Sequence, residues 1–480
     1  ACSIVPETDL TVINELLKET TDGRDFILKR GNPPLSGSHD IRGSLKRTAM
    51  GAILTPGELL KIAEVLNACR NLKNYSEDRE TDEEENCVKV LISQLEVNRH
   101  IEEKIKNAII SEEEIADNAS PALSEIRRKI REFQNLIKDK LNEIVRSSKY
   151  QKIIQESIVT MRGDRYVIPV KQEHKNEIPG LVHDMSASGA TVFIEPMAVV
   201  EANNNIRQLK IKEQLEIERI LSELTSDVSG FLSQLETDIS ILGKLDFIFA
   251  KAKLSLDYDC SCPVINQDGY TEIKKGRHPL LDKKRVVPID FRIGKKFDTL
   301  VITGPNTGGK TVTLKTVGLF TLMARAGLHV PAGDGTVISA FEKVFADIGD
   351  EQSIEQNLST FSSHMKNIVN ILKVAGKDSL VLFDELGAGT DPTEGAALAI
   401  AILEYLRSVG AVTVATTHYS EIKMYAVTTE GVENACCEFD VQTLMPTYKL
   451  LIGIPGKSNA FAISQRLGLS ERIIARAREF

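Results

Sequence analysis

A glycine-rich loop that ends in a lysine and a threonine occupies residues 304–311, which read GPNTGGKT. In such a loop, glycines let backbone N–H groups close around phosphates, the lysine reaches the β- and γ-oxygens, and the threonine hydroxyl binds magnesium. A strand-like run precedes the loop and a helical run follows it, which is the context that the motif requires. The sequence therefore predicts an ATP and Mg²⁺ site, whose phosphate contacts come from Gly304, Pro305, Asn306, Thr307, Gly308, Gly309, Lys310 and Thr311.

An acidic pair follows a second apolar run, at 380–383. Asp384 is placed to hold the magnesium, directly or through water, and Glu385 to activate the attacking water. A surface pair is the alternative, but acids that directly follow four apolar residues are typical of a site at the carboxyl end of a buried strand. We therefore predict Thr311 and Asp384 as metal ligands, and Lys310 and Glu385 as catalytic residues.

A histidine, His418, ends the segment Thr416-Thr417-His418 after a third apolar strand. In that place a histidine can contact the γ-phosphate and report its loss. A lone histidine is more often structural. The prediction for His418 therefore depends on its position as the third motif in a series, after the phosphate loop and the acidic pair. It is the third predicted catalytic residue.

Serine and threonine side chains also precede a predicted helix at 358–362, which reads LSTFS. Hydroxyl groups at a helix N-terminus can bind an anion. Because the sequence holds one phosphate loop, this second site could complete the nucleotide site of a partner chain in a dimer. By spacing alone, an ordinary helix cap is the favoured interpretation.

The composition is that of a globular protein, with 42% hydrophobic and 26% charged residues. The net charge of −9 argues against a protein whose whole surface is basic and binds nucleic acid, but it is compatible with a local basic patch. The sequence shows no membrane-spanning run, no secretion signal and no zinc pattern among its 7 cysteines, so we expect a cytoplasmic protein with reduced thiols and no membrane partner. It lacks an initial Met and ends in a helix-like stretch, so we interpret it as part of a longer protein.

Helical periodicity dominates the first half of the chain. Ser120-Pro121 is a helix start, and apolar residues then recur at spacings of three and four as far as Ile144. A similar stripe runs through 217–245, so we predict a coiled-coil-like helical arm, with two ordinary core helices as the alternative. Short β-type runs between the stripes predict a small β unit.

From about residue 256, apolar strand-like runs alternate with helices, the pattern of a parallel sheet covered by helices. The predicted domains are a helical core at 1–119, a helical lever at 120–255 with a β insert at about 156–197, and an α/β ATPase and dimerisation domain at 256–480.

Several motifs resemble the ATPase domain of the MutS family, a branch of the ABC-type ATPases. They are GPNTGGKT, FDELGAGTD (383–391), ATTHYSE (415–421) and GRHPLL (276–281). Three further segments resemble the second bacterial paralogue of that family: DIRGSLKRTAMGAILTPGEL (40–59), RYVIPVK (165–171) and VHDMSASGATVFIEP (182–196).

The resemblance implies an ABC-type α/β P-loop domain, an all-α core, and a long helical lever with a small β clamp-like tip, working as a homodimer with two composite sites. Within it, Ser359 matches a serine that reaches the γ-phosphate bound by the partner chain. Val286 and Val287 fall where the family often stacks an aromatic on adenine. Thr311 and Asp384 match the magnesium positions, Glu385 the catalytic acid and His418 the switch histidine.

The family's activities imply an ATP-hydrolysing dimeric clamp that acts on branched DNA in suppressing recombination, or on collided ribosomes through ribosomal RNA. Mismatch recognition is disfavoured because no mismatch-reading domain precedes the core. A structural coiled-coil ATPase is disfavoured because the arm is short, about 30 residues or ~45 Å. Without the family's C-terminal nuclease domain, this chain is not expected to cut nucleic acid. Basic residues near the arm tip suit either nucleic-acid cargo or scattered surface charge: Arg162, Arg165, Lys171 and Lys175.

Overall fold

A computed structural model describes residues 4–77, 86–304, 308–349, 360–440, 442–443, 445–456, 460–466 and 468–479. The helices are α1 Leu10–Arg30, α2 Arg42–Ala49, α3 Pro56–Ser76, α4 Cys87–Ser93, α5 Arg99–Ala108, α6 Pro121–Arg146, α7 Met197–Ser229, α8 Leu232–Asp257, α9 Lys310–Arg325, α10 Thr360–Val374, α11 Pro392–Ser408, α12 Ser420–Thr428, α13 Ala460–Arg466 and α14 Glu471–Glu479, with a 3-10 turn at Gln172–His174.

The strands are β1 Ile109–Ser111, β2 Glu114–Ile115, β3 Thr160–Arg162, β4 Arg165–Lys171, β5 Gly180–Met185, β6 Thr191–Pro196, β7 Val264–Asn266, β8 Thr271–Gly276, β9 Ile289–Ile293, β10 Thr299–Thr303, β11 Val337–Ser339, β12 Lys343–Asp347, β13 Ser379–Phe383, β14 Val412–Thr416, β15 Val432–Asp440 and β16 Met445–Ile452. The chain is thus a mixed α/β protein, as predicted. No described helix combines the length and the apolar character needed to cross a membrane.

Contacts divide the chain into two compact units. The first comprises Ala1–Pro33, Glu84–Val88 and Leu245–Phe480, and the second comprises Pro34–Glu83 and Lys89–Lys244. The three predicted domains and their boundaries stay a prediction.

In the second unit, the helix start predicted at Ser120 is confirmed, and α3 has a start of the same kind at Thr55. Thr55 accepts from the backbone N–H of Glu58, whose carboxylate accepts in return from Thr55 N–H, a capping box ahead of α3. Ser120 accepts from Leu123 N–H at 3.0 Å, with Pro121 in the first turn of α6.

Helix α7 packs along α6, and polar contacts join the two helices. Arg127 donates to Glu213 at 2.7 Å, and Ser120 donates to Glu216 at 2.7 Å. The apolar stripe at 217–245 does not form one helix, because α7 ends at Ser229 and α8 begins at Leu232. Gly230 lies at this break. Glycine destabilises a helix, because its backbone loses more conformational freedom on folding than that of any other residue.

The predicted small β unit is a four-stranded antiparallel sheet in the order β3-β4-β6-β5. Its inward side chains, such as Ile168 and Val192, pack with Leu141 of α6 and Ile206 of α7. Because alternate side chains of a strand face opposite sides, one face of this sheet is buried against the two helices.

The cations near this sheet mostly contact other residues of the same unit. Arg165 donates to the fully buried carboxylate of Glu195 at 2.8 Å and to Asn204 at 2.7 Å. Lys171 donates to a backbone carbonyl at 3.0 Å, and the Arg162 guanidinium lies 4.2 Å from the centre of the Phe193 ring. Of the four basic residues predicted to suit a cargo, three therefore have contacts within the unit.

The first unit contains a six-stranded sheet in the order β12-β13-β14-β10-β15-β16. All neighbours pair in parallel except β15 and β16, which are antiparallel. Helix α9 packs on one face through Leu314 and Val317, and α10 and α11 pack on the other through Ile368 and Leu403. The predicted parallel sheet covered by helices is confirmed, and its buried strands explain their continuous apolar runs.

A buried histidine in the first unit gives a testable pH dependence. Ser255 Oγ lies 2.8 Å from Nδ1 of His329, and Thr21 Oγ1 lies 3.0 Å from Nε2. Burial, with a smaller effect of the Arg24 charge, lowers the pKa of His329 to about 4.

Because an unfolded histidine gains its proton near pH 6.5 and native His329 does not until about pH 4, the unfolded state binds more protons in between. We expect the free energy of unfolding to fall as pH falls through this window, by at most about 3 kcal/mol. Urea titrations should show a flatter pH dependence for His329→Gln than for the wild type. The exposed His100→Gln is the matched control, and equal slopes for both variants would contradict the assignment.

Candidate functional site

Two glycines shape the predicted phosphate loop, which joins the end of β10 to the start of α9. Gly304 has φ 130° and Gly309 has φ 94°, backbone conformations that favour glycine. A side chain on Gly304 would also approach the backbone oxygen of Cys437 to 3.4 Å. Gly308 is buried in the same loop, whereas the predicted contacts Pro305, Asn306 and Thr307 lie outside the described residues.

Lys310, the first residue of α9, is 1% exposed, and its Nζ donates to the carbonyl of Gly304 at 2.8 Å. Burial lowers the pKa of Lys310, while the nearby carboxylates of Glu385 and Asp384 act to raise it. The Cys437 thiol beside it stays neutral, because burial raises its pKa to about 12. A desolvated ammonium group beside a glycine-rich loop is suited to a polyanion such as a triphosphate.

The two predicted metal ligands lie in direct contact. Thr311 Oγ1 donates to Oδ2 of Asp384 at 2.6 Å, and Thr416 Oγ1 donates to Oδ1 at 2.5 Å. Within the described ranges, no cluster of three or more His, Cys, Asp or Glu could hold a metal ion. Magnesium does not require one, because it keeps several waters and binds through one or two protein oxygens plus substrate phosphates. Thr311 and Asp384 fit that requirement.

Glu385 has an unusual backbone, with φ 52° in a region that side chains other than glycine seldom adopt. Its N–H donates to Thr416 Oγ1 at 2.8 Å, and the next N–H, of Leu386, donates to the Thr416 carbonyl at 3.0 Å. A strained residue of this kind persists only where its surroundings hold it, and such residues cluster at functional sites. The fully buried Thr416 therefore orients both acids, a role that the sequence analysis did not assign to it.

His418 follows β14, the strand that lies between the one ending at the phosphate loop and the one ending at Asp384. Its side chain is exposed, and its ring centre lies 4.3 Å from that of Tyr419. The carboxyl ends of parallel strands share one edge of a sheet, so His418 belongs to the same edge as the loop and the acidic pair.

The structure places an aromatic side chain, which the sequence analysis missed, beside the phosphate loop. Val286 and Val287 are half-buried and follow a turn that begins at Asp282. Tyr448 of β16 lies beside the phosphate loop, since a Cβ added to Gly309 would be 3.3 Å from its Cδ1. It is half-exposed and has φ 60°. No motif marks this residue, because only the sheet brings β16 to the loop.

A second missed group lies on the strand beyond the acidic pair. Asp347, at the end of β12, accepts from the backbone N–H of Asp384 through its carbonyl at 2.9 Å. Its buried carboxylate lies 2.8 Å from His364 Nδ1 and accepts from Asn367 at 2.8 Å, both on α10. Helix α10 begins at Thr360, and the predicted partner-reaching Ser359 lies outside the described residues.

Comparisons with known proteins agree with these motifs. Residues 300–480 match the model of MutS domain V. The chain is 70% identical over 478 residues to Endonuclease MutS2 of Acetivibrio thermocellus, 68% over 477 residues to that of Ruminiclostridium cellulolyticum and 56% over 479 residues to that of Clostridioides difficile. These alignments cover 99%, 99% and 100% of this chain. The chain spans 60% of the length of each of these relatives.

Proposed function

Because this chain is MutS2-like over nearly its whole length, we propose that it is a MutS-family ATPase with its active site at the carboxyl edge of the six-stranded sheet. One observation carries the proposal: both oxygens of Asp384 accept hydroxyl hydrogen bonds, from Thr311 of the phosphate-loop helix and from Thr416 of β14. The arrangement joins three separate motifs into one site and favours an ABC-type assignment for the domain.

In the proposed mechanism, N–H groups of the loop and the Lys310 ammonium bind the phosphates of ATP. Thr311 and Asp384 would hold Mg²⁺, which supplies charge neutralisation on the phosphates when bound. Glu385 accepts a proton from a water molecule as the water oxygen bonds to the γ-phosphorus, and the bond from phosphorus to the bridging oxygen breaks. The products are ADP and phosphate. His418, at the same edge, is the proposed sensor of the γ-phosphate.

The site is proposed to be completed by a second copy of the chain. An isolated site at a sheet edge would leave the γ-phosphate facing water, where added hydrogen-bond donors contribute little. Ser359 of the partner, at the start of α10, is the proposed donor, on the strength of the family resemblance.

Mixing two inactive variants tests this arrangement. Lys310→Ala breaks the phosphate loop and keeps Ser359, whereas Ser359→Arg does the reverse. In a mixed dimer, one of the two composite sites combines an intact loop with an intact serine. We therefore expect each variant alone to be inactive and the mixture to recover part of the ATP turnover after subunit exchange.

The control is a mixture of Lys310→Ala with Glu385→Gln. Lys310 and Glu385 belong to the half of a composite site that one chain supplies. Every site in a mixed dimer of these variants therefore lacks either Lys310 or Glu385. If neither mixture recovers activity although exchange has occurred, the assignment of Ser359 to the partner's site is wrong. A monomer that hydrolyses ATP at a specific rate independent of concentration would also exclude it.

The proposed cargo is nucleic acid, either branched DNA or ribosomal RNA in collided ribosomes. The α6–α7 pair and its four-stranded sheet are the proposed lever and clamp tip. Co-sedimentation with four-way DNA junctions and, separately, with ribosomes distinguishes the two cargoes when each is measured with and without ATP. ATP-dependent retention on one and not on the other identifies the cargo, and retention on neither contradicts the proposed cargo while leaving ATP hydrolysis untouched.

A further inference from the structure

A compact run of positive charge occurs in the first unit, within an acidic protein. Residues 272–296 contain nine basic and three acidic residues, a net charge of +6, whereas the whole chain carries −9. Eight of the cations are exposed. They define a surface that we call the basic face: Lys274, Lys275, Lys283, Lys284, Arg285, Arg292, Lys295 and Lys296.

The hairpin formed by β8 and β9 places two of these cations on its outward side. The strands pair antiparallel, with Glu272 opposite Arg292, and their alternate side chains Ile273 and Phe291 are buried in the core. The outward side therefore presents Lys274 and Arg292. Loops at the two ends of the hairpin add 283–285 at one end and 295–296 at the other.

Among the described residues, most of these cations form no ion pair. Lys283 donates to the backbone carbonyl of Asp257 and lies 4.3 Å from the centre of the Tyr258 ring, and Lys295 lies 4.1 Å from that of Tyr270. Within the described part of the chain, none of the other six forms an ion pair: Lys274, Lys275, Lys284, Arg285, Arg292 and Lys296. The cations of the small sheet in the second unit, by contrast, are mostly engaged by their own neighbours, as described above.

A groove of about 320 Å³ runs between this hairpin and β16, lined by Lys274, Arg292 and Ile454. Glu272 and Asp290 line it too, so the excess positive charge lies at the rims and in the end loops. Strand β8 has 6 residues, roughly 20 Å at 3.3 Å per residue, which is on the order of six base-pair steps of one DNA strand.

We propose that the basic face binds the phosphate backbone of duplex DNA, as a contact in addition to the proposed clamp; this rests on the proposed nucleic-acid cargo. Unpaired exposed cations bind phosphates by releasing counterions from the duplex. A double-stranded partner is favoured over a single strand, because single strands are held by stacking bases on open aromatic rings. Two tyrosine rings at the face, those of Tyr258 and Tyr270, are already covered by Lys283 and Lys295.

The test compares two quadruple variants of the full 480-residue chain. The first removes four face cations: Lys274→Ser, Lys284→Ser, Arg292→Ser and Lys296→Ser. The matched control removes four exposed lysines of the same unit that lie elsewhere: Lys18→Ser, Lys253→Ser, Lys343→Ser and Lys373→Ser. Both lose the same charge, so a difference between them reports position and not net charge.

Affinity for a short linear DNA duplex is measured by fluorescence anisotropy across a salt series. For the face variant we expect Kd to rise at least about tenfold and the slope of log K against log salt to decrease by about 3 to 4, since each lost phosphate contact contributes ~0.9. The control should lose much less. Equal losses in the two variants would overturn the proposal.

Other ligands of the basic face would give different results in these measurements. Leu280 beside the face is 83% exposed, so vesicles containing phosphatidylglycerol serve as a second probe; selective loss of vesicle binding with DNA binding retained would overturn the proposal. A loss confined to duplex RNA, or a raised KM for ATP without a change in DNA affinity, would do the same. ATP turnover of the wild type is measured in parallel, so that failure of the proposed ATPase is recognised separately from failure of the basic face.

Discussion

Glu385→Gln is expected to bind ATP as tightly as the wild type and to hydrolyse it about 10²–10⁴-fold more slowly. The amide keeps the size of the side chain but cannot accept the proton of the attacking water. The backbone contact that holds this residue is made by its N–H to Thr416, so the substitution leaves the left-handed conformation supported. The ATP-bound state should therefore accumulate.

Equilibrium binding of ATP and a single-turnover rate, measured on the same preparation, check this expectation. Glu404→Gln, an exposed acid of α11 in the same unit, is the matched control and should leave both quantities unchanged. A Glu385→Gln protein that loses ATP affinity yet keeps its single-turnover rate would show that Glu385 is not the general base.

Lys310→Ala is expected to weaken ATP binding and to lower hydrolysis by about 10²–10³-fold, the usual cost of removing one donor to developing charge. The structure adds a complication, because this lysine is 1% exposed and the alanine leaves a space next to Gly304. Lys310→Met keeps most of the volume and removes the charge together with the hydrogen bond to Gly304, so it separates the loss of phosphate binding from a loss of packing.

Since burial lowers the pKa of Lys310, its charged form is held at some cost in the ATP-free protein. We expect the methionine variant without nucleotide to melt at or above the wild-type temperature and to gain no stabilisation from added ATP. Thermal melts with and without ATP and Mg²⁺ measure both. Unchanged ATP turnover in either Lys310 variant would refute the site.

The motifs whose functional residues are neighbours in the chain could be predicted from the sequence. The loop at 304–311, the acids Asp384 and Glu385 and the residue His418 each directly follow a buried strand, and the structure brings these strand ends to one edge. Local signals of this kind depend on neighbours along the chain. The helix starts at Thr55 and Ser120 were predictable for the same reason, since a capping side chain bonds within three residues of itself.

The end of a helix was less predictable than its start. Apolar spacing continues from 217 to 245, yet the structure places a helix end at Ser229 and a new start at Leu232. Periodicity records which side chains are buried, and two successive helices can bury theirs with the same period. Packing of α7 on α6, together with Gly230, decides where the first helix stops.

The phosphate loop, the acidic pair and the alternation of buried strands and helices can be identified without the structure, because these depend on residue type and short-range spacing. The side chains that complete the site are brought together by contacts between strands that are distant in the sequence. Thr416 reaches Asp384 because β14 lies next to β13, and Tyr448 reaches Gly309 because β16 continues the sheet beyond β15. Strand order is set by the packing of helices on both faces of the sheet, which no local pattern records.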